Sequence, residues 1–476
     1  MKKMFKLLIP LSVLFMATSC GFQINNVTDS GTGSQTGGNT GGNTGGQTGG
    51  NTGGNTGGQT GGQTTTKGAW TILLYMCGSN LESDLANQTQ IEQGGYTYQH
   101  DGIGLATADI LEILDVKNQP SDVNIVIQTG GAQTWTSNTY GKYSDGYDIS
   151  NKKLQRHHVK NNKIVLDEEL TYTSMGSSST LQSFLEFGLK NYPAEKTGVI
   201  LWNHGGGMQG VCFDDKKNGD GLLASEVTSA VSGALKNTGN SGKKLEWIGY
   251  DACLMQVQDI AEKNSAYFNY MVGSQETEAG YGWDYDTWVD DLYSKKSTET
   301  ILKAIVDGFI EDNGGTASSY IDGYVADQTL SYLDLSKMAA YKSAWESLAT
   351  QLKSKLSSSN KSKFISLVSG CKKFAGDDSY AYGLVDASNF ISSLSSNSTF
   401  KPATSYITNV QNAYKDLVKY SVAQKGAGKA NGLSFYFPFD EYTSSYNDYN
   451  SSETNFTNWK YICDNYGEES SGGWWY

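Results

Sequence analysis

Apolar runs of strand length alternate with helical patterns along most of this chain, and that alternation limits the folds available to it. Residues 69–76 (AWTILLYM) and 123–131 (VNIVIQTGG) are typical of buried strands, and residues 181–189 (LQSFLEFGL) carry apolar side chains at helical spacing. The pattern continues through strands expected at 198–203 and 245–252. Strands that alternate with helical crossovers predict an α/β fold, with a mostly parallel sheet covered by helices on both faces.

The pattern changes beyond about residue 300. Helical stretches dominate there, including residues 407–422 (ITNVQNAYKDLVKYSV), and one late strand is expected at 432–439 (GLSFYFPF). We therefore predict an α/β domain over residues 68–300 and a helix-rich C-terminal domain over residues 301–476. A chain of this length has enough residues for two domains with substantial cores.

The first twenty residues have the features of an export signal rather than of a folded segment. A lysine-containing start is followed by an apolar run, residues 7–16, that is too short to span a bilayer. The segment ends in ATSC, which resembles a bacterial lipoprotein signal with Cys20 as the lipidated residue. Ordinary signal-peptide cleavage after residues 17–19 is the alternative. Both interpretations predict an exported protein.

Residues 21–67 are expected to form a flexible tether. Within them, residues 37–64 repeat the motif GG[NQ]T seven times and contain no apolar residue. Such a segment cannot offset the entropy lost on ordering, so it is predicted to be disordered. A Gly-rich coil of the length of residues 21–69 has an end-to-end distance of about 35–42 Å. That distance would hold a globular body clear of a membrane surface.

Charge and cysteine content restrict the partners and the chemistry. The net charge of −13 argues against nucleic acid, because nucleic-acid binding depends on basic surface. Besides Cys20 the chain has five cysteines, without the spacing of a disulfide framework. An odd number of cysteines in an exported protein leaves at least one free thiol.

A histidine and a cysteine occupy equivalent positions after two successive strands. His204 follows the strand VILWN and precedes three glycines, and Cys253 follows the strand LEWIGYDA, 49 residues later. Reacting residues of open α/β sheets gather just past the carboxyl ends of the strands. If the two strands are neighbours, they lie about 4.7–4.9 Å apart, and both side chains can open into one cleft.

This pair of residue types fits nucleophilic catalysis. A neighbouring imidazole lowers the pKa of a thiol and can later protonate the leaving amine. The glycine at position 205 lets a substrate approach closely, and the N–H groups of Gly205 and Cys253 are candidate donors to the oxyanion of a tetrahedral intermediate. A lone histidine or cysteine in such a position is more often structural, but the combined pattern favours a functional pair.

Other cysteines and histidines are weaker candidates. Cys77 follows the first strand and is expected near the cleft, but no histidine or glycine turn accompanies it. Cys212 is expected to pack in the segment that continues from His204. His157 and His158 lie next to each other in LQRHHVK, so on a strand they face opposite ways, and no third metal ligand is nearby.

The segments VILWNHGGG and IGYDACLMQ resemble the clostripain family of cysteine peptidases, whose fold is caspase-like. The resemblance extends from about Trp70 to Phe439 through WTILLYMCGSNLES, GSQETEAGYGWDY, YLDLSKM, YGLVDASNF and GLSFYFP. It implies that His204 is the general acid/base, that Cys253 is the nucleophile, and that Gly205 and Cys253 supply the oxyanion donors. The family is described as using a His/Cys dyad, so no third member is nominated.

The resemblance also implies polypeptide substrates cleaved after Arg or Lys. Side chains two apart in an extended segment share a face, so Asp251 is expected to point the same way as Cys253. A carboxylate beside the nucleophile would select a cationic side chain. A capping or turn aspartate is the alternative for Asp251. Asp284 is a second pocket candidate, in competition with Glu276 and Glu278, which the sequence does not rank.

Members of this family often mature by cutting themselves between the histidine and the cysteine. Lys216 and Lys217 lie in the polar segment CFDDKKNGDGLL, a typical location for a nick, and Lys217 is preferred because NGDG follows it. An uncut surface loop is the alternative. Some relatives use calcium, but the segment starting at Asp214 has Lys216 and Ser225 where a calcium loop needs ligands. We therefore expect no obligatory metal or other cofactor.

Two functions follow as hypotheses. The first is a surface-anchored cysteine endopeptidase, attached to a membrane through a lipid on Cys20 and activated by cleaving itself. The second is a non-enzymatic surface lipoprotein that binds glycan or protein, which the tether and the 30 tyrosines and 10 tryptophans suggest. The intact His/Cys pair favours the first hypothesis.

Overall fold

The computed structural model describes residues 67–93, 96–137, 143–144, 146–316, 320–321, 324–376, 382–439 and 452–467. The expected export signal, with Cys20, and all of the expected tether except Lys67 lie outside the described residues. The described part of the chain contains no helix that is both long enough and apolar enough to cross a membrane.

Strands account for the central layer of the structure. Their bounds are β1 Gly68–Cys77, β2 Gln90–Gln93, β3 Tyr96–Gln99, β4 Val123–Gly130, β5 Lys153–Lys160, β6 Lys163–Thr171, β7 Ala194–Trp202, β8 Val211–Asp214, β9 Asp220–Leu222, β10 Leu245–Asp251, β11 Phe268–Gly273, β12 Tyr320–Ile321, β13 Tyr324–Val325, β14 Thr329–Asp334, β15 Leu384–Asp386, β16 Val418–Ala423 and β17 Ser434–Tyr436.

Helices connect the strands and follow the last of them. Their bounds are α1 Ser79–Ser83, α2 Leu105–Asp115, α3 Ser178–Asn191, α4 Ala224–Asn237, α5 Gln258–Asn264, α6 Tyr285–Tyr293, α7 Thr298–Asp312, α8 Met338–Lys353, α9 Lys361–Ser369, α10 Ala387–Ser396, α11 Thr404–Leu417 and α12 Thr457–Tyr466.

Nine of the strands form one sheet in the order β16-β14-β11-β10-β7-β1-β4-β5-β6. The five central strands, from β11 to β4, run parallel, and the two strands at each edge run antiparallel. The predicted α/β fold with a parallel sheet is therefore confirmed at the centre. The antiparallel edges are an addition that the sequence did not indicate.

Side chains of the central strands alternate between two apolar cores, one on each face. Along β1, Leu73 and Tyr75 belong to a core that includes α3, α4 and α8, whereas Ile72 and Leu74 belong to a core that includes α2, α6 and α7. A strand buried on both faces reads as a continuous apolar run, because both sets of side chains must be apolar. Continuous runs of this kind made the central strands recognisable in the sequence.

The sheet continues across the domain boundary expected near residue 300. Strands β14 and β16 lie beyond that residue and extend the sheet from β11. The helix expected over residues 407–422 is wrong at its end, because α11 stops at Leu417 and the next residues pair with β14. The late strand expected at 432–439 is shorter than predicted, and it pairs with β15 in a separate two-stranded sheet.

Candidate active site

Three neighbouring strands of the parallel centre end at the same edge of the sheet. β1, β7 and β10 lie side by side, and Trp202 at the end of β7 is in register with Asp251 at the end of β10. His204 and Cys253 each follow two residues later. The strand order thus brings together two residues that are 49 positions apart in the sequence.

His204 and Cys253 line the same open cleft. Asp251 and Glu278 also line it. The Cys253 side chain is 7% exposed, and His204 is half-buried. The other lining residues are Leu81, Trp202, Asn203, Ala252, Ala279, Gly280 and Gly282. The structure therefore places the predicted imidazole and thiol in one cleft.

A hydrogen bond to Asn80 orients the ring of His204. The Nε2 atom lies 2.7 Å from Oδ1 of Asn80, in the short helix α1 that comes after β1. The amide nitrogen of Asn80 donates to Asp84 at 3.4 Å, so its oxygen faces the imidazole. Because an amide oxygen only accepts hydrogen bonds, Nε2 carries the proton and Nδ1 is the basic nitrogen.

Asn203 holds the ends of β1 and β7 in fixed positions. Its side-chain amide donates to the carbonyl oxygen of Cys77 and to Oγ of Ser79, both at 2.7 Å. Its oxygen accepts the N–H of Phe213 at 2.7 Å. Asn203 is buried, so all three hydrogen bonds lie in a region of low dielectric constant, where they are strong. Asn80 and His204, which follow these two strand ends, are positioned through them.

Burial lowers the pKa of His204, while the negative charges of Asp215 and Asp84 partly oppose that effect. A lowered pKa keeps the imidazole neutral at neutral pH. The neutral form is the one that accepts a proton from a thiol. The environment of His204 therefore suits a general base.

Gly205 packs directly against the backbone of the cysteine. A Cβ atom at this position would lie 2.2 Å from the carbonyl oxygen of Cys253, a distance that no side chain tolerates. The residue must therefore be glycine for the two motifs to approach each other. The requirement differs from the one expected from the sequence, since here the close neighbour is the protein's own backbone rather than a substrate.

Asp251 lies at the inner wall of the cleft and is 4% exposed. Its Oδ2 accepts the hydroxyl of Tyr285 at 2.8 Å and the N–H of Trp283 at 3.5 Å. Gly282 has a φ of +61°, and a Cβ there would lie 2.8 Å from Oδ1 of Asp251, so glycine makes room for the carboxylate. Burial raises the pKa of Asp251 above its usual range.

The structure separates the other acidic candidates. Glu278 lines the cleft, and its backbone N–H donates to Sγ of Cys253 at 3.3 Å. Glu276 is buried away from it, where it accepts the N–H of Ala375 and pairs with Lys372 at 3.4 Å. Asp284 is not among the lining residues; it precedes α6, and its carboxylate accepts the hydroxyl of Thr287 at 2.8 Å.

The expected processing residues lie in the hairpin formed by β8 and β9. The ammonium groups of both lysines lie near the ring centroid of Tyr172, at 5.0 Å for Lys216 and 5.6 Å for Lys217. Lys217 is exposed, whereas Lys216 is half-buried and donates to a backbone carbonyl. The next two residues, Asn218 and Gly219, have positive φ angles of 58° and 73°. The peptide bond after Lys217 is therefore at the tip of a tight turn.

The remaining cysteines and histidines have structural surroundings. Cys77 and Cys212 are buried, and the five described cysteines form no disulfide with one another. His157 is bonded to Thr129 at 3.2 Å and to Tyr147 at 3.0 Å, and burial lowers its pKa to about 3. His158 pairs with Asp167 at 2.9 Å. The two histidines face different neighbours, as their adjacent positions on β5 predict.

Sequence reasoning did not find Asn80 or Gly282. Asn80 follows the first strand of the parallel centre, at the edge where reacting residues gather, and that position was the signal available. No local signal singles out Gly282, because its requirement for glycine arises from contact with Asp251.

A thiol and a neutral imidazole that share a cleft at the carboxyl edge of an α/β sheet define a site for nucleophilic acyl transfer by a cysteine. The chain belongs to the clostripain family of cysteine peptidases, whose family model matches residues 102–466. It is 24% identical to clostripain of Hathewaya histolytica over 345 residues, which cover 61% of this chain and 62% of clostripain.

Solved structures share the fold. A secreted C11 cysteine protease from Bacteroides thetaiotaomicron, in complex with an irreversible peptide inhibitor, has a TM-score of 0.54 at 15% identity and covers 84% of this chain and 97% of its own. An inactive zymogen of a C11 protease from Parabacteroides distasonis has a TM-score of 0.54 at 17% identity, with the same coverage. The expected caspase-like α/β fold is thereby confirmed.

Proposed function

We propose that this protein is an exported cysteine endopeptidase that hydrolyses peptide bonds after Arg or Lys. The observation that carries the proposal is the position of His204 and Cys253 in one cleft with a buried carboxylate, Asp251. Family membership supports the peptidase activity. The clostripain match favours an enzyme over a surface lipoprotein that only binds glycan or protein.

In the proposed reaction, Nδ1 of His204 takes the proton of the Cys253 thiol, and the thiolate attacks the carbonyl carbon of the substrate. The N–H groups of Gly205 and Cys253 are assigned to the resulting oxyanion. The imidazolium then gives its proton to the leaving amine, which forms a thioester. Water hydrolyses the thioester, with His204 accepting a proton from it, and the thiol is restored.

The preference for a basic side chain is assigned to Asp251. A guanidinium or ammonium group that enters the cleft would meet a buried carboxylate, with which charge-assisted hydrogen bonds are strong. Asp284 is left out of this assignment because its carboxylate is bonded to Thr287 outside the lining of the cleft.

The proposal is tested with fluorogenic peptides that carry arginine, lysine or citrulline before the scissile bond. Cys253→Ala is expected to abolish turnover of all three. Cys371→Ala, which removes a buried thiol outside the cleft, is the matched control and is expected to retain activity. Asp251→Asn is expected to lower kcat/KM for the basic peptides about a hundredfold more than for the citrulline peptide. Turnover by Cys253→Ala would remove the assignment of the nucleophile.

We also propose that the chain matures by cutting itself after Lys217. The exposed turn at Lys217 and Asn218 supports this assignment. The double variant Lys216→Ala/Lys217→Ala is expected to remain a single chain on denaturing gels, while the wild type gives two fragments. Two fragments of unchanged size from the variant would place the cut elsewhere.

The anchor and the lack of a metal requirement are proposals of the same kind. Cys20→Ala is expected to release the protein from the membrane fraction, and metabolic labelling with a lipid precursor detects the modification directly.

The carboxylate of Asp214, which begins the segment compared with a calcium loop, accepts hydrogen bonds from Tyr172, Met175 and Lys216. Removal of calcium by a chelator is accordingly expected to leave kcat/KM unchanged.

A further inference from the structure

We infer that Glu278 is a second substrate-binding carboxyl, which shares a proton with Asp251 in the free enzyme and exchanges it for the cationic side chain of the substrate. This inference rests on the proposed preference for Arg or Lys. It adds a residue to the pocket and makes substrate binding release a proton to the solvent.

The first observation is the state of the Glu278 side chain. It is 5% exposed, and no N–H or O–H donor of the described residues meets full hydrogen-bond geometry at either carboxylate oxygen, although a weaker interaction with the Trp283 side chain partly offsets the effect of burial. A buried carboxylate without donors is costly, because the hydration lost on burial is not replaced. Glu278 also lines the cleft, so a ligand in the cleft can reach the group that lacks partners.

The second observation is the neighbour of this carboxyl. Glu278 lies within hydrogen-bonding range of Asp251, and two carboxylates can be joined by a hydrogen bond only if one of them holds a proton. Burial raises the pKa of Glu278 well above its usual range, and the negative charges of Asp251 and Cys253 add to that effect. The pair therefore titrates as a unit that retains one proton more readily than an isolated carboxyl would.

Among the described residues, the charged and titratable groups that act on the pair are acidic or neutral. From the segment after β10 comes Cys253, and from the end of β7 comes His204, which is neutral at neutral pH. From α6 comes Tyr285, whose hydroxyl donates to Asp251. From α2 come Asp109 and Glu112, whose negative charges raise the pKa of Tyr285. None of these groups is a lysine or an arginine.

A cationic side chain in the cleft supplies the missing positive charge. Two facing carboxylates repel each other in a low dielectric environment, and a guanidinium or ammonium between them removes that repulsion. The cation thus replaces the proton shared by Asp251 and Glu278, and that proton is released to the solvent. A neutral side chain of similar shape, such as citrulline, cannot replace the proton. Binding of a basic substrate is therefore coupled to pH, whereas binding of its neutral analogue is not.

The ratio of kcat/KM for an arginine peptide to that for the matched citrulline peptide isolates this coupling. Titration of the dyad affects both peptides and cancels in the ratio. In the wild type, the ratio is expected to rise with pH as the shared proton becomes easier to displace. In Glu278→Gln the ratio at pH 8 is expected to fall about tenfold, with its rise moved to lower pH, because Asp251 then titrates alone.

Glu276→Gln is the matched control. Glu276 lies two residues away and is equally buried, but it accepts its hydrogen bonds outside the cleft. Its neutralisation is expected to leave both the ratio and the pH dependence of the ratio unchanged. Thermal unfolding of each variant establishes that the folded protein is being assayed.

A second measurement needs no turnover. Arginine-peptide binding to the Cys253→Ala protein is followed by calorimetry in buffers of different ionisation enthalpy, which gives the number of protons released. A release on the order of one proton is expected near neutral pH with Glu278 present, and a much smaller release with Glu278→Gln.

The outcomes separate this inference from the proposed function. A wild type that does not prefer arginine to citrulline contradicts the proposed specificity itself. A wild type that prefers arginine by a ratio independent of pH contradicts the shared proton, even if Glu278→Gln does not fold. A Glu278→Gln variant with the wild-type ratio and proton release contradicts the role of Glu278 while leaving Asp251 as the specificity residue.

Discussion

At the scale of single residues, the orientation of His204 depends on one hydrogen bond. Nε2 is bonded to Asn80 at 2.7 Å, which leaves Nδ1 as the base. Asn80 is exposed, so water can replace this bond, and its contribution is smaller than that of a buried one. Asn80 thus acts through His204 by fixing its tautomer and its ring plane.

Asn80→Ala is expected to lower kcat about tenfold with little change in KM, because a misoriented base slows proton transfer without altering substrate binding. Asn80→Asp adds a negative charge next to the imidazole and is expected to raise the pKa of His204. The corresponding inflection in the pH profile of kcat/KM then moves to higher pH. Ser83→Ala, at the end of the same short helix and outside the cleft lining, serves as the control.

A uniform loss of activity at every pH in both variants, with an unchanged profile, would show that Asn80 has only a structural role. Equal activity in wild type and Asn80→Ala would show that the hydrogen bond to His204 does not matter for the reaction.

At the scale of secondary-structure elements, one side chain caps the N-terminus of the last described helix. Glu346 on α8 accepts the N–H groups of Asn458 and Trp459 and the hydroxyl of Thr457, all in the first turn of α12. The first N–H groups of a helix have no partner within the helix, so an external carboxylate caps them and interacts favourably with the helix dipole. The indole of Trp459 is buried in the same core as α8.

Glu346→Ala is expected to lower the free energy of unfolding by about 1–2 kcal/mol, the range found for loss of a helix cap. Chemical denaturation measures the change, and kcat/KM at low denaturant is expected to stay at the wild-type value because α12 is not part of the cleft lining. Glu299→Ala, on the first turn of α7, is a control outside this contact. A stability equal to that of the wild type would exclude the capping role.

At the scale of the whole molecule, a cut after Lys217 would divide the sheet between two fragments. The first fragment would contain β1 and β7, and the second would contain β10 and β11, yet β7 and β10 are hydrogen-bonded neighbours in the parallel centre. Both apolar cores also draw side chains from both fragments. Separation would expose these cores to water, so the fragments should remain associated.

The cleaved protein is accordingly expected to elute as one species of full mass on size-exclusion chromatography. It should separate into two fragments only in denaturant, whereas Lys216→Ala/Lys217→Ala elutes as one chain under both conditions. Two smaller species in native buffer would mean that the pairing of β7 with β10 does not hold the nicked molecule together.

The sequence by itself determined where the central strands lie and which reactive residues follow them. The strands β1, β4, β7 and β10 each contain a short apolar stretch whose side chains are buried on both faces of the sheet, and such stretches can be recognised from the local sequence. The positions of His204 and Cys253 could be predicted because each follows one of these apolar stretches. The antiparallel edge formed by β5 and β6 was not predicted, because the sequence KLQRHHVK of β5 is largely polar and gives no sign of its neighbours in the sheet.

The tertiary structure decided what depends on contacts between distant segments. Val418 to Ala423 became a strand because β14 offers a free edge, although the residues before them are helical. Glu276 and Glu278 are chemically identical and two residues apart, and only the approach of Lys372 and Ala375 draws one of them away from the cleft. The local sequence pattern shows which side chains are apolar. The partner of a buried charge, in contrast, depends on which distant segments pack against it.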